Sequence, residues 1–492
     1  MYNLGNMNPD TKGGLRRRQF FLTYLTGIVV STYPFFFLFF RNISKVKFND
    51  ILPDLLLCAL MGVAVTSISL IIVRHPGKAA YYATFLLLFL INFRRVLELV
   101  QRYLSSFYYW HLVIIAVIFF LVLGRLLRYL GDTSDGPNIP VMLYIFGALT
   151  LINLLTAVPQ FLAQHSQPTS DSVDLPENLS PDQRVEEKPN IYYFIFDEFA
   201  GLQNSKRYLG FDNPEFFSGL ENRGFSVSYD SYAKTIDSFT EIPNMLQLAE
   251  VNSVNMPDNQ KRENTRNPRL LVLMKNIGYQ SNQMDIPYYN FLDESLADFQ
   301  FSSEMSPAFG SFSSLLFEHM FFYPFYGQTE YEQAVSFTLN QFDYAANSPK
   351  ISPAGVITIG YFSFPHPPFI FDQDGGAVPE TETNNLRNVN NYYDQYIFAS
   401  RKILDLVDAI QAQDPAGIII LQSDHGFRYP NLLHDWYGDE SFDLAAEAHY
   451  QKNTLNAVYT PGNQIAIEGL NNIETLKKVL DIEFGIQLDH EK

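Results

Sequence analysis

At 492 residues the chain is too long for one small domain, and apolar runs that stop near residue 164 divide it in two, so the overall mean hydropathy of −0.05 describes neither part. The formal charge of −18 is uneven: residues 1–164 hold 14 Lys/Arg against 6 Asp/Glu, leaving 20 (34 − 14) against 46 (52 − 6) in the rest, an acidity that argues against nucleic acid as a partner. The single cysteine, Cys58, lies in an apolar run, which removes a disulfide framework, a cysteine metal site and a thiol nucleophile from the soluble half.

Hydrocarbon about 30 Å thick needs roughly 20 apolar residues of helix. The sequence predicts about five such spans, at 19–40, 51–73, 79–93, 108–130 and 139–162, the third being short. Lys12, Arg16, Arg17 and Arg18 precede the first span and favour a cytoplasmic start. With five spans, eight basic residues fall inside and six (Arg41, Lys45, Lys47, Arg94, Arg95, Arg102) outside, so the charge bias places the soluble half outside the cytoplasm by a narrow margin. No charge sits deep in a span, which gives transport through the bundle little support. Residues 1–164 are thus a membrane domain, and the polar, Pro- and Ser-containing stretch 165–189 reads as a linker.

From residue 190 the pattern changes to short apolar runs alternating with helical periods. "NIYYFIFDE" and "GVITIGYFSFPH" read as strands, "GYQSNQMD" resembles another, and "GIIILQSDHG" gives one more. Residues 268–277 and 386–413 have helical spacing, as does "NPEFFSGLENRGF" up to Gly224. The aromatic-rich stretch 300–350 resists assignment. The alternation predicts a doubly wound, mostly parallel α/β sheet over 190–492.

Such a sheet gathers its chemistry where the loops leave the carboxyl ends of its strands. Three runs end there in groups able to bind metal or phosphate: Asp197 with Glu198, His366, and Asp424 with His425. One carboxylate at a strand end is more often a turn or cap residue, but Asp197 and Asp424 on neighbouring strands, with an imidazole beside one, form a divalent-metal set. "YAKTIDSFTEIPN" offers Thr235, Ser238 and Thr240 as hydroxyl nucleophiles, or as helix caps. His366, in "FPHPPF", is aimed at the same edge and suits substrate binding or proton transfer to a leaving group. His434 and His449 are further possible ligands between which spacing does not choose.

As a set these segments resemble the alkaline phosphatase/sulfatase superfamily, and within it the membrane-anchored phosphoglycerol transferase branch that includes lipoteichoic acid synthase. "PNIYYFIFDEF" is similar to the opening strand with its acidic ligand, Asp197; "KTIDSF" to the nucleophile segment, which puts the catalytic threonine at Thr235; "HPPFIFD" to the substrate-binding histidine loop, at His366; "IIILQSDHG" to the second metal half-site, at Asp424 and His425; and "LNAVYTPG" to a late strand and turn. The resemblance covers roughly 188–465. It implies a metal held by Asp197, Thr235, Asp424 and His425, with Mn²⁺ or Mg²⁺ first and Zn²⁺ or Ca²⁺ as alternatives. It also implies transfer of a phosphoglycerol-type group between phospholipid or glycan substrates at the membrane. Lipoteichoic acid synthases have Glu where this chain has Asp197, and the residues they use to hold the glycerol phosphate head find no match here. The C/S-x-P-x-R motif of ordinary sulfatases is absent. A phosphodiesterase or sulfuric-ester hydrolase with the same residues, and an inactive envelope scaffold, are the alternatives.

Overall fold

The computed structural model describes residues 9–43, 48, 51–101, 103–104, 108–129, 139–165, 188–251, 267–284, 291–301, 312–317, 319–350, 355–379 and 382–488. The expected linker therefore lies almost wholly outside the described residues. The chain forms two compact units, Met1–Gln167 with Gly310–Thr329, and Pro168–Phe309 with Glu330–Lys492.

In its N-terminal part the first unit includes, among the described residues, the helices α1 (Pro9–Arg41), α2 (Leu52–Val73), α3 (Pro76–Ile91), α4 (Phe93–Gln101), α5 (Tyr109–Tyr129) and α6 (Ile139–His165). Four of them contain stretches long and apolar enough to cross a membrane: Arg17–Arg41, Leu52–Val73, Tyr109–Tyr129 and Val141–Val158. The third expected span is instead the 16-residue α3, which starts at Pro76 and is capped at Asn92. At 1.5 Å per residue it reaches about 24 Å, short of the ~30 Å hydrocarbon layer. On α5 the apolar residues Ile114, Val117, Ile118, Leu121 and Val122 are all more than half exposed, as they would be against lipid. Buried hydroxyls satisfy themselves on the preceding turn, as in Thr26 to Leu22 O and Ser69 to Val65 O, both 2.7 Å. Part of the stretch that the sequence left unassigned belongs to this unit. Phe312, Leu316, Phe317 and Met320 pack with Phe35, Ile51, Cys58 and Leu87, and Ser313 donates to Asp54 Oδ2 at 2.7 Å.

The second unit is built on a seven-stranded sheet of order β2-β7-β6-β1-β5-β3-β4. The strands are β1 (Ile191–Phe196), β2 (Ser226–Val227), β3 (Gln280–Met284), β4 (Phe299–Gln300), β5 (Val356–Phe362), β6 (Ile418–Ser423) and β7 (Asn456–Tyr459). β6, β1, β5, β3 and β4 run parallel, while β7 is antiparallel to β6 and to β2. The sheet is thus mixed and mostly parallel, as the strand–helix alternation predicts.

The central strands are apolar on both faces because both are covered. Tyr192, Phe194 and Phe196 enter one core with Ile419, Leu421 and Phe362, while Ile191, Tyr193 and Ile195 enter the other with Ile418, Ile420 and Ile357. The first face is covered by the helix Val389–Gln413, through Tyr392, Tyr396, Ile403 and Val407; the second by Arg269–Asn276 and Asn472–Phe484. Short helices α7 (Leu202–Leu209), α8 (Pro214–Asn222) and α9 (Ser238–Gln247) lie between β1 and β3 in sequence. Gly224, where the sequence predicts α8 to stop, has φ +86°, a turn a side chain would strain.

Candidate active site

β1 lies between β5 and β6 near the middle of the sheet, and the loops at its carboxyl end border the crevice where parallel α/β sheets gather their chemistry. Phe196 pairs with both Phe362 and Ser423. The next residue on β1 is Asp197 and the next on β6 is Asp424, so strand register alone brings the two carboxylates together. Asp197 N–H still donates to Phe362 O at 2.8 Å. The chain then turns sharply: Glu198 has φ +62°, in the left-handed region a glutamate rarely adopts. That turn aims its N–H at Asp424 Oδ1, 3.1 Å away, which also accepts from His425 N–H at 2.8 Å.

Asp197, Asp424 and His425 each offer a ligand atom, all within 4.8 Å of one another, and all three residues are buried. His425 Nδ1 faces Gly426 O at 2.9 Å and donates to it, which leaves the Nε2 lone pair directed at the carboxylates, 3.7 Å from Asp197 Oδ1 and 3.5 Å from Asp424 Oδ2. Burial holds the His425 imidazole at a pKa of about 3, hence neutral. Burial also raises both carboxylates above their ordinary range, and for Asp197 the charges of Asp424 and Glu198 add to it. Asp197 Oδ1, Asp424 Oδ2 and Glu198 Oε2 are buried and accept no hydrogen bond among the described residues. Orphaned carboxylate oxygens beside an imidazole lone pair fit a divalent cation, which would remove the repulsion that adds to the raised Asp197 pKa.

Of the expected nucleophiles, Ser238 is the one recorded against this group. Its hydroxyl lies 3.3 Å from His425 Nε2 and helps to hold down the Asp424 pKa. Thr235 sits one turn earlier, in the loop entering α9. Its N–H donates to Glu241 Oε2 at 3.1 Å, and its Oγ1 accepts from Asp237 N–H at 3.2 Å. Thr240 donates its hydroxyl to Asp237 Oδ2 at 2.7 Å. Glu241, almost wholly buried, is pushed by burial to a pKa of about 8.

His366 reaches the same crevice from the loop after β5, with Nε2 3.8 Å from Glu198 Oε2. Arg428, four residues after Asp424, joins it: its N–H donates to Glu198 Oε1 at 2.8 Å, and Nη2 lies 3.2 Å from His366 Nε2. Sequence reasoning passed over Arg428, Glu241 and Tyr361, whose hydroxyl donates to Asp197 Oδ2. Arg428 alone left a signal, as a lone cation closing "SDHGFR" in an acidic half. His434 is exposed and paired with Asp435, and His449 stacks on Tyr232; neither joins the three-residue group.

No family model and no curated protein matches this chain. Among solved structures it is similar to the C-terminal periplasmic domain of EcEptC from Escherichia coli in complex with Zn (12% identity, TM-score 0.38, covering 60% of this chain and 82% of that one). The lipoteichoic acid synthase LtaP from Listeria monocytogenes gives 15%, 0.38, 64% and 76%, and a 2-O GAG sulfatase gives 14%, 0.38, 62% and 72%. Residue roles are not transferred across such distances.

Proposed function

We propose that the chain is a membrane-anchored, metal-dependent enzyme that transfers a phosphoglycerol-type group onto an envelope lipid or glycan, with Thr235 as nucleophile. The observation that carries this reading is the buried Asp197–Asp424–His425 group with its orphaned oxygens, bordered by the hydroxyl-bearing loop 235–238. Those three residues, with Thr235, would hold the metal. Two carboxylates, an imidazole and a hydroxyl suit Mn²⁺, Mg²⁺ or Zn²⁺. When bound, such an ion eases deprotonation of the hydroxyl and neutralises charge on the transferring group.

The chain's own residues do the rest. The Asp237 N–H, donating to Thr235 Oγ1 at 3.2 Å, fixes the hydroxyl and stabilises it as its proton leaves. Thr235 then forms an Oγ–P bond as the bond from phosphorus to the first alcohol breaks, and that oxygen departs with a proton. A second alcohol displaces Thr235, loses its own proton and restores the hydroxyl. The loop before α9 sits at a helix N-terminus, where the dipole favours the anionic group being transferred. His366 is neutral, its pKa lowered by burial, and its Nε2 faces a guanidinium, which supports substrate positioning over proton donation.

Acid quenching of the Mn²⁺-loaded full chain during turnover, followed by peptide mass spectrometry, tests this reading. The adduct is expected on Thr235 and absent from Thr235→Ala. An adduct on Ser238 would move the nucleophile three residues along.

A further inference from the structure

Three carboxylates, Asp197, Glu198 and Asp424, are buried at this crevice. One divalent ion offsets two of their charges and leaves one negative charge facing an ester that is itself an anion. In the low dielectric of a buried site that mismatch would oppose binding. Arg428 supplies the missing charge, and its field acts on Asp197, Asp424 and His425 alike.

Its contacts also orient it. The Arg428 Nε lies 3.4 Å from Glu198 Oε1, Nη1 lies 3.5 Å from Ile236 O, and Nη2 lies 3.2 Å from His366 Nε2. A guanidinium has no lone pair to offer, so His366 Nε2 must be the acceptor. The imidazole proton then resides on Nδ1, which faces Pro367 O. His366 is thereby a positioning residue that holds the guanidinium plane. The three acceptors come from the end of β1, the loop after β5 and the nucleophile loop, so Arg428 lies between the metal group and the residue next to Thr235. Its side chain keeps 24% of its surface exposed, and a ligand in the crevice can reach it.

We propose that Arg428 is the second cation of the site: it holds an oxygen of a tetrahedral oxyanion ester, phosphodiester or sulfate, while the metal group engages the reacting centre. This rests on the metal reading above. Arginine suits the task because it stays charged and presents its donors in a plane.

The test uses the full chain in detergent, calorimetric titration with Mn²⁺, then titration of the Mn²⁺-loaded protein with inorganic phosphate. Arg428→Gln is expected to weaken phosphate binding about tenfold or more, and Arg428→Lys to keep part of it. Mn²⁺ affinity should stay equal or rise in Arg428→Gln, because a positive neighbour of the ligands has gone. That rise separates anion holding from a structural bridge to Glu198. Phosphate affinity within twofold of wild type in Arg428→Gln would overturn the proposal. So would joint loss of Mn²⁺ and phosphate binding, or a wild-type protein that binds Mn²⁺ but no phosphate. A wild-type protein that binds no Mn²⁺ would overturn this proposal and the metal reading together. Thr235→Ala should keep phosphate binding while losing turnover, so failure of the nucleophile assignment is seen separately.

Discussion

The backbone N–H of Glu198 donates to Asp424 Oδ1 at 3.1 Å, tying the end of β1 to the end of β6. Two hydrogen bonds, this one and that from His425 N–H, occupy Oδ1 and leave Oδ2 buried without one among the described residues. The site is therefore organised before any cation arrives, at the cost of oxygens that only a cation or a proton satisfies.

Asp424→Asn separates the two demands. The asparagine Oδ1 keeps both backbone bonds, and the like-charge repulsion with Asp197 disappears. Without metal the variant should melt at a higher temperature than wild type. Mn²⁺ at a hundredfold excess over Kd should stabilise wild type by about 2.7 kcal/mol and the variant by almost nothing. Thermal melts of both proteins in detergent, with and without Mn²⁺, decide it. An equal Mn²⁺ shift in both would remove Asp424 from the ligand set.

Glu241 should give the metal-free protein a pH signature. Its folded pKa, about 8, is raised above the ordinary 4.5, so the folded state holds the proton more tightly than the unfolded chain. Its contribution is full below pH 4.5 and is lost as pH rises toward 8, with a limiting slope of about 1.4 kcal/mol per unit. Glu241→Gln mimics the protonated carboxyl and should flatten the fall in stability over that window. Denaturant melts at a series of pH values measure the difference; parallel curves would mean that Glu241 titrates normally.

Ser238 and Thr235 should differ in kind. Ser238→Ala removes a hydroxyl 3.3 Å from His425 Nε2, so Mn²⁺ affinity and turnover should fall together, by about 10- to 100-fold. Thr235→Ala should weaken Mn²⁺ binding, as the loss of a proposed ligand, and should abolish turnover even at saturating Mn²⁺. The opposite pattern would exchange their roles.

Gly426 follows His425 where a Cβ would meet Asn453 O and the Asn204 side chain. The first is backbone and gives way only if Gly426 moves. Gly426→Ala should cost about 1–3 kcal/mol and disturb the His425 ring, whose Nδ1 bonds to Gly426 O. A melt unchanged from wild type would show that the turn has room to shift.

The sequence made the strand ends legible because buried parallel strands are continuous apolar runs, so Asp197, Asp424 and His425 stand out where those runs stop. Arg428 and Glu241 carry no such mark. Their partners, Glu198 and Thr235, lie 230 and 6 residues away, and only the register of β1 with β6 and the turn into α9 bring them into contact. The third apolar run reads as a span because composition does not reveal that Pro76 and Asn92 bound it at 16 residues. Residues 312–317 resist assignment because their partners, among them Phe35 and Ile51, come from the other end of the chain.

Turnover of a chromogenic phosphodiester by the full chain in detergent, with and without Mn²⁺ and beside Thr235→Ala, tests the central claim most directly. The account predicts activity that requires Mn²⁺ and falls at least about a thousandfold in the variant. Equal activity in the two proteins, or wild-type activity indifferent to Mn²⁺ and to chelator, would contradict it.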